Sequence, residues 1–144
     1  MSSRLRRVDR LVEIRLDALK AARASTAAAA RAVAQAQLDA QRDERAWSDA
    51  AQGFGTGVTR VTDLDQQAAH LRTLRVRADA SARALERAVA EERRLAAAVV
   101  KAAMEHRKLE LWRDRIATAE RQEENRLERV SSDELAARIA RVRP

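Results

Sequence analysis

Apolar residues recur every seven positions through the first third of the chain, at Leu5, Val12, Leu19, Val33, Ala40, Trp47 and Phe54, with Thr26 as the polar member. Three residues after each of the first seven come Val8, Arg15, Ala22, Ala29, Ala36, Asp43 and Ala50, of which five are apolar. A stripe at spacings of three and four, held over about seven heptads, predicts a long coiled-coil helix. Small side chains from Ala27 to Ala36 let a partner come close, near the short end of the ~8–10 Å range for packed helices. A second stripe runs through Leu74, Ser81, Ala88, Leu95, Ala102, Leu109, Ile116, Glu123 and Val130. Its companions are Leu71, Ala78, Leu85, Glu92, Val99 and His106.

Between the stripes lie all three glycines, Gly53, Gly55 and Gly57. Glycine reaches the left-handed backbone region that ends helices, and the lone proline is residue 144. The spacing therefore predicts helix over 3–52, a glycine loop over 53–61 and a second helix over 62–130. Thr62 would cap that helix, with Asp63 and Asp65 at its positive end. Ser131 and Ser132 interrupt the stripe, and Ser131 with Glu134 has capping-box spacing, so a short helical tail is expected over 131–144. The fold class that follows is all-α: a long antiparallel two-helix coiled-coil hairpin with a short C-terminal helical tail, one domain over 1–144.

The expected helices are unequal. Folding at the glycines sets Leu5 near Glu110 and leaves Leu111–Val130 projecting, with Leu111, Trp112, Ile116 and Leu127 uncovered. An apolar patch of this kind marks a binding face; a bend, a self-dimer or a loosely packed end would also account for it.

Composition sharpens this picture. Aromatics are 2% of residues, and 35% are charged, a balance suited to a thin helical seam rather than a thick core. Net charge is +7, which raises the case for nucleic acid or anionic lipid. The signs are mixed, however: ten bases accompany seven acids over residues 1–52, and eighteen accompany fifteen over 63–144. Pairs such as Asp17 with Lys20 and Glu123 with Arg126 have helical spacing, so a solvated helix surface is expected and no nucleic-acid partner. The arginines at 4, 6, 7 and 10 are followed by no apolar run, because Asp9, Glu13, Arg15 and Asp17 intervene. A protein that stays in the cytoplasm is expected.

Catalytic chemistry has no foothold in the pattern. There is no cysteine, and His70 and His106 lie outside any metal-ligand spacing. Gly53-x-Gly55-x-Gly57 lacks the lysine and the βαβ context of a phosphate loop. No enzyme activity, metal or cofactor is expected.

The stretch Lys108-Leu109-Glu110-Leu111-Trp112-Arg113-Asp114-Arg115 leads into a charged run, Glu120 to Glu128, and then Asp133-Glu134-Leu135. This resembles the C-terminal half of the FliJ/YscO family, the stalk proteins of type III secretion and flagellar export. Lys108, Leu109, Glu110, Trp112, Arg113 and Arg115 match its K-x-L-E-x-W/L-R-x-R pattern, and Arg7 to Arg15 resembles its basic N-terminal pattern. The resemblance implies a hairpin like the central coiled coil of the rotary ATPase γ subunit. Its open end would sit in the pore of a hexameric export ATPase and promote the assembly and activity of that enzyme. Its other end would reach the cytoplasmic domain of the membrane export gate, and some members handle export chaperones. It places the chain at the cytoplasmic face of the inner membrane. The implied ATPase-side contacts are Leu111, Trp112, Arg113, Arg115, Ile116 and Leu127; the implied gate-side contacts are Phe54, Val58 and Val61.

Two other readings stand beside this one. The polar seam residues Thr26, Asp43, Ser81, Glu92 and His106 could specify extra strands, which would make the chain a self-associating structural or adaptor coiled coil. A one-sided basic stripe would instead point to nucleic acid or an anionic membrane.

Overall fold

The structure, a computed structural model, describes residues 2–143. Met1 and Pro144, which the expected domain included, lie outside the described residues. Helix α1 spans Ser3–Gln52 and helix α2 spans Val61–Val142; no strand occurs among the described residues. The tertiary contacts form two units, one combining the residues up to Leu19 with those from Lys101 onward, the other comprising Lys20–Val100. In each unit α1 and α2 pack antiparallel.

In the first unit the centre is Val8, Val12 and Ile116, with Leu5 and Leu109 packed against them. All five occupy predicted seam positions. Arg15, also predicted there, is exposed, and Leu16 is half-buried instead. An unpaired guanidinium is costly to bury, and a helix of 3.6 residues per turn drifts against a seven-residue repeat, so the neighbouring leucine turns inward. Ser2 caps α1: its Oγ accepts from the Leu5 amide at 3.0 Å, and its carbonyl accepts from Arg6 N at 3.2 Å. The Ser2 hydroxyl also donates to Glu120 on α2. Leu5 therefore meets the Ile116 cluster rather than Glu110. In that register Ile116 packs against Val8 and Val12.

In the second unit Val33, Ala78 and Asp43 are buried. The seam follows the predicted positions on both helices, from Ala22 to Ala50 on α1 and from Leu71 to Val99 on α2. Asp43 is 4% exposed; it accepts from the Ser81 hydroxyl and from Arg42 Nε, the latter at 3.2 Å, and Arg77 Nε lies 3.4 Å away. Arg75 crosses between the helices, pairing with Glu44 at 3.2 Å and Asp79 at 2.7 Å. Its guanidinium lies over the Trp47 ring, 4.6 Å from the centroid, a cation–π contact that holds the tryptophan against the seam.

The turn belongs to the same unit. Gly53 N closes α1 on Asp49 O at 3.1 Å. Gly55 and Gly57 take φ of 85° and 72°, which side-chain-bearing residues rarely adopt. Gln67 clamps the loop, accepting from Gly55 N at 2.9 Å and donating to Thr56 O at 3.3 Å. The loop thus lies beside the first turns of α2. Helix α2 starts one residue earlier than expected, and its cap differs. Arg60 O accepts from Asp63 N and Leu64 N, and the Thr59 hydroxyl donates to the Asp63 carboxylate at 3.2 Å. Thr62 lies within the first turn.

The largest departure is at the other end of α2. The helix does not break at Ser131 and Ser132 but continues to Val142. A serine costs a helix interior only about half a kcal/mol relative to alanine, and the flanking Leu127–Val130 and Leu135–Ala140 are mostly good helix formers.

Candidate partner-binding surfaces

Two exposed regions, each within one unit, gather the residues expected to bind partners. The first begins where α1 runs out. Ile116, expected on the uncovered face, is 6% exposed and belongs to the core of its unit. The reason is the register: Ser2 reaches Glu120, so α1 covers Ile116. The uncovered part of α2 starts after Glu120, not at Leu111.

Trp112, 42% exposed, lies on the flank of the helix pair. It lines a shallow cleft with Arg4, Arg115, Ile116, Ala119 and Glu120. The indole needs cover on one face and leaves the other to solvent, a combination common at interfaces. Arg4 comes from the first turn of α1, so the start of α1 and the Lys108–Arg115 stretch meet in one place. Arg113, by contrast, is held by Asp114 at 3.0 Å, which raises its already high pKa by hydrogen bonding and charge. Leu111 is exposed beside the cleft that includes Arg115 and Thr118. Leu127 stands apart on the uncovered helix.

The second region is the turn. Phe54 is 44% exposed and Val61 76% exposed, whereas Val58 is half-buried. The Gln67 clamp and the two left-handed glycines fix the backbone that displays Phe54.

Several charges elsewhere on α2 are paired locally. Glu91 with Arg94, Glu105 with Lys108, Glu110 with Arg107 and Glu123 with Arg126 all pair across one turn of α2. Hydrogen bonding to the arginines holds Glu91 and Glu123 below the usual carboxylate range. Such surface pairs are screened by salt. The described residues contain no group of three or more His, Asp or Glu side chains that could hold a metal ion. No helix among them is long and apolar enough to cross a membrane. His106 sits on the seam, half-buried, with Nε2 lacking a hydrogen-bond partner; Glu110 Oε1 is 3.9 Å away.

Three features here escaped the sequence reading. Ser2 as cap and tie to Glu120 was signalled by a serine three residues before the first seam leucine. The Gln67 clamp has no sequence signature. The Arg75–Trp47 contact was hinted at only by an aromatic on a seam otherwise built from alanine.

No protein-family model, curated protein or solved structure matches the chain.

Proposed function

We propose that the chain is the central stalk component of a type III protein export apparatus. In this reading it links the hexameric export ATPase to the cytoplasmic domain of the export gate and promotes ATPase assembly and activity. The chain itself hydrolyses nothing and works at the cytoplasmic face of the inner membrane, with export chaperones as further partners. The observation that carries the reading is the cleft at the end of α1. There Trp112 and Arg115, from the stretch that resembles the FliJ/YscO family, meet Arg4 from the first turn of α1 on one exposed surface. Exposed arginines beside a half-covered indole suit contacts that are long-range and salt-sensitive, as a moving stalk requires. Phe54 and Val61, displayed by the glycine turn, supply the gate-side contact.

The test is ATP hydrolysis by the cognate export ATPase, titrated with this chain. Stimulation is expected near one chain per hexamer. The double reversal R113E/R115E is expected to raise the concentration for half-maximal stimulation about tenfold, with helicity unchanged, since charges at an interface rim act mainly on association. Equal stimulation by a well-folded variant would remove the support of this cleft; no stimulation by the unaltered chain would remove the function.

A further inference from the structure

The first unit has two unlike faces. At 3.6 residues per turn, Arg4, Arg7, Leu11, Ile14 and Arg15 fall to one side of the α1 seam at Leu5, Val8 and Val12; Asp9 and Glu13 fall to the other. On α2, Lys101, Lys108, Trp112 and Arg115 fall to one side of Leu109 and Ile116, and Glu110 and Asp114 to the other. The cleft that joins Arg4 to Trp112 and Arg115 makes the first sides a single face. Arg113 marks the opposite face: its pKa is raised first by Asp114, then by the charges of Asp9 and Glu110.

The first face carries six exposed bases, Arg4, Arg7, Arg15, Lys101, Lys108 and Arg115, and one acid, Glu105. Lys108 pairs with Glu105 at 3.8 Å, and the other five form no ion pair among the described residues. Where the face ends, Glu120 and Glu123 are engaged by Ser2 and Arg126. Leu11, Ile14 and Trp112 stand exposed among the bases. The opposite face is mixed, with Arg6, Arg107, Arg113 and Arg121 against Asp9, Glu13, Glu110 and Asp114.

We propose that the basic face lies on an anionic phospholipid bilayer, its bases at the lipid phosphates and Leu11, Ile14 and Trp112 entering the headgroup layer. Bases set around exposed aliphatic and indole side chains are the combination that holds a helix at a membrane surface. Nucleic acid would be served by the bases and by aromatic platforms for stacking, and gains nothing from Leu11 and Ile14. The mixed face, with its charges balanced, turns to water. This inference is independent of the export reading: its test contains no ATPase, and its variants leave Arg4, Arg115 and Trp112 in place.

Co-sedimentation of the full chain with vesicles of phosphatidylcholine and about 30% phosphatidylglycerol reads the result, with pure phosphatidylcholine as control. Binding to the mixed vesicles is expected to be at least about tenfold tighter than to the control and to weaken as salt is raised. The reversal R7E/R15E/K101E is expected to weaken it at least about tenfold. The matched reversal R6E/R107E/R121E is expected to cost less than about threefold, because bases a helix diameter away are screened. L11S/I14S keeps every charge and is expected to weaken binding about fivefold. Circular dichroism reads the fold of each variant separately. In W47F, whose one tryptophan is Trp112, emission is expected to shift to shorter wavelength on binding, as the indole leaves water. No binding to the mixed vesicles, equal losses in the two charge reversals, or full binding by L11S/I14S would each overturn the proposal. Displacement from the vesicles by duplex DNA at equal phosphate would overturn it too, and give the face to nucleic acid.

Discussion

The two units solve the same packing problem with different side chains. Among the residues up to Leu19 and from Lys101 onward, the buried positions are branched or long aliphatics: Val8, Val12, Leu19 and Ile116. Within Lys20–Val100 they are Val33, Ala78 and Asp43. The first unit is closed by apolar volume, which stabilises by roughly 1.5–3 kcal/mol for each large side chain fully removed from water. The second is closed by small residues and by one buried carboxylate served by Ser81, Arg42 and Arg77. Apolar heptads tolerate a slip of seven residues, because a leucine again meets a leucine. Asp43 does not, because a slip leaves its carboxylate without the Ser81 hydroxyl. Apolar volume thus supplies most of the stability of the first unit, whereas in the second a buried polar contact specifies the register.

The largest expected effect comes from removing volume where volume closes the seam. Ile116→Ala leaves a cavity between Val8 and Val12 and is expected to cost about 2–5 kcal/mol, read by urea unfolding followed at 222 nm. A loss below about 1 kcal/mol would mean that the thin seam collapses around the gap, and the contrast between the units would fail. A smaller effect is expected from adding volume where closeness matters. Ala78 is 2% exposed in the second unit, where small side chains bring the helices together. Ala78→Leu is expected to cost about 1–3 kcal/mol by forcing the helices apart. Were that variant more stable than wild type, the helices would be loosely apposed at that level, and alanine would serve some end other than close packing.

Much of this was legible in the sequence, for a physical reason. Burial in a two-helix pair depends on a repeating angle, and the seven-residue recurrence of Leu5, Val12 and Leu19, or of Leu74 through Ile116, states that angle directly. The end of α1 at Gln52 was legible from the glycines, two of which adopt the left-handed conformation. The register was not. Heptads repeat, so Leu5 fits opposite several leucines, and the choice rests on the Ser2–Glu120 and Asp43–Ser81 contacts between residues far apart in the chain. The misplacement of Ile116 on the uncovered face followed from that ambiguity. The break expected at Ser131 and Ser132 failed for another reason: a capping-box spacing permits a helix start but does not compel one when the flanking residues favour continuation.

The finest distinction between the units is electrostatic, and Asp43→Asn isolates it. Asparagine keeps the shape and can still accept from Ser81, so only the charge is lost and the effect is the smallest of the three. Hydrogen bonding from Ser81, against an opposing contribution from burial and with help from Arg42 and Arg77, holds the Asp43 carboxyl below its ordinary range. A carboxyl depressed in the folded state stabilises the fold above the unfolded value, near pH 3.9, and loses that contribution as pH falls through the folded value. Wild type is therefore expected to exceed the variant in Tm by a constant margin above about pH 5 and to converge with it toward pH 2. Glu91 and Glu123 are depressed as well, by Arg94 and Arg126, but both are unchanged in the variant and cancel in the difference. Thermal unfolding of both proteins across that range is the measurement. Curves that stay parallel down to pH 2 would show that the charge of Asp43 contributes nothing to the fold, and that its part in the register rests on the Ser81 hydrogen bond.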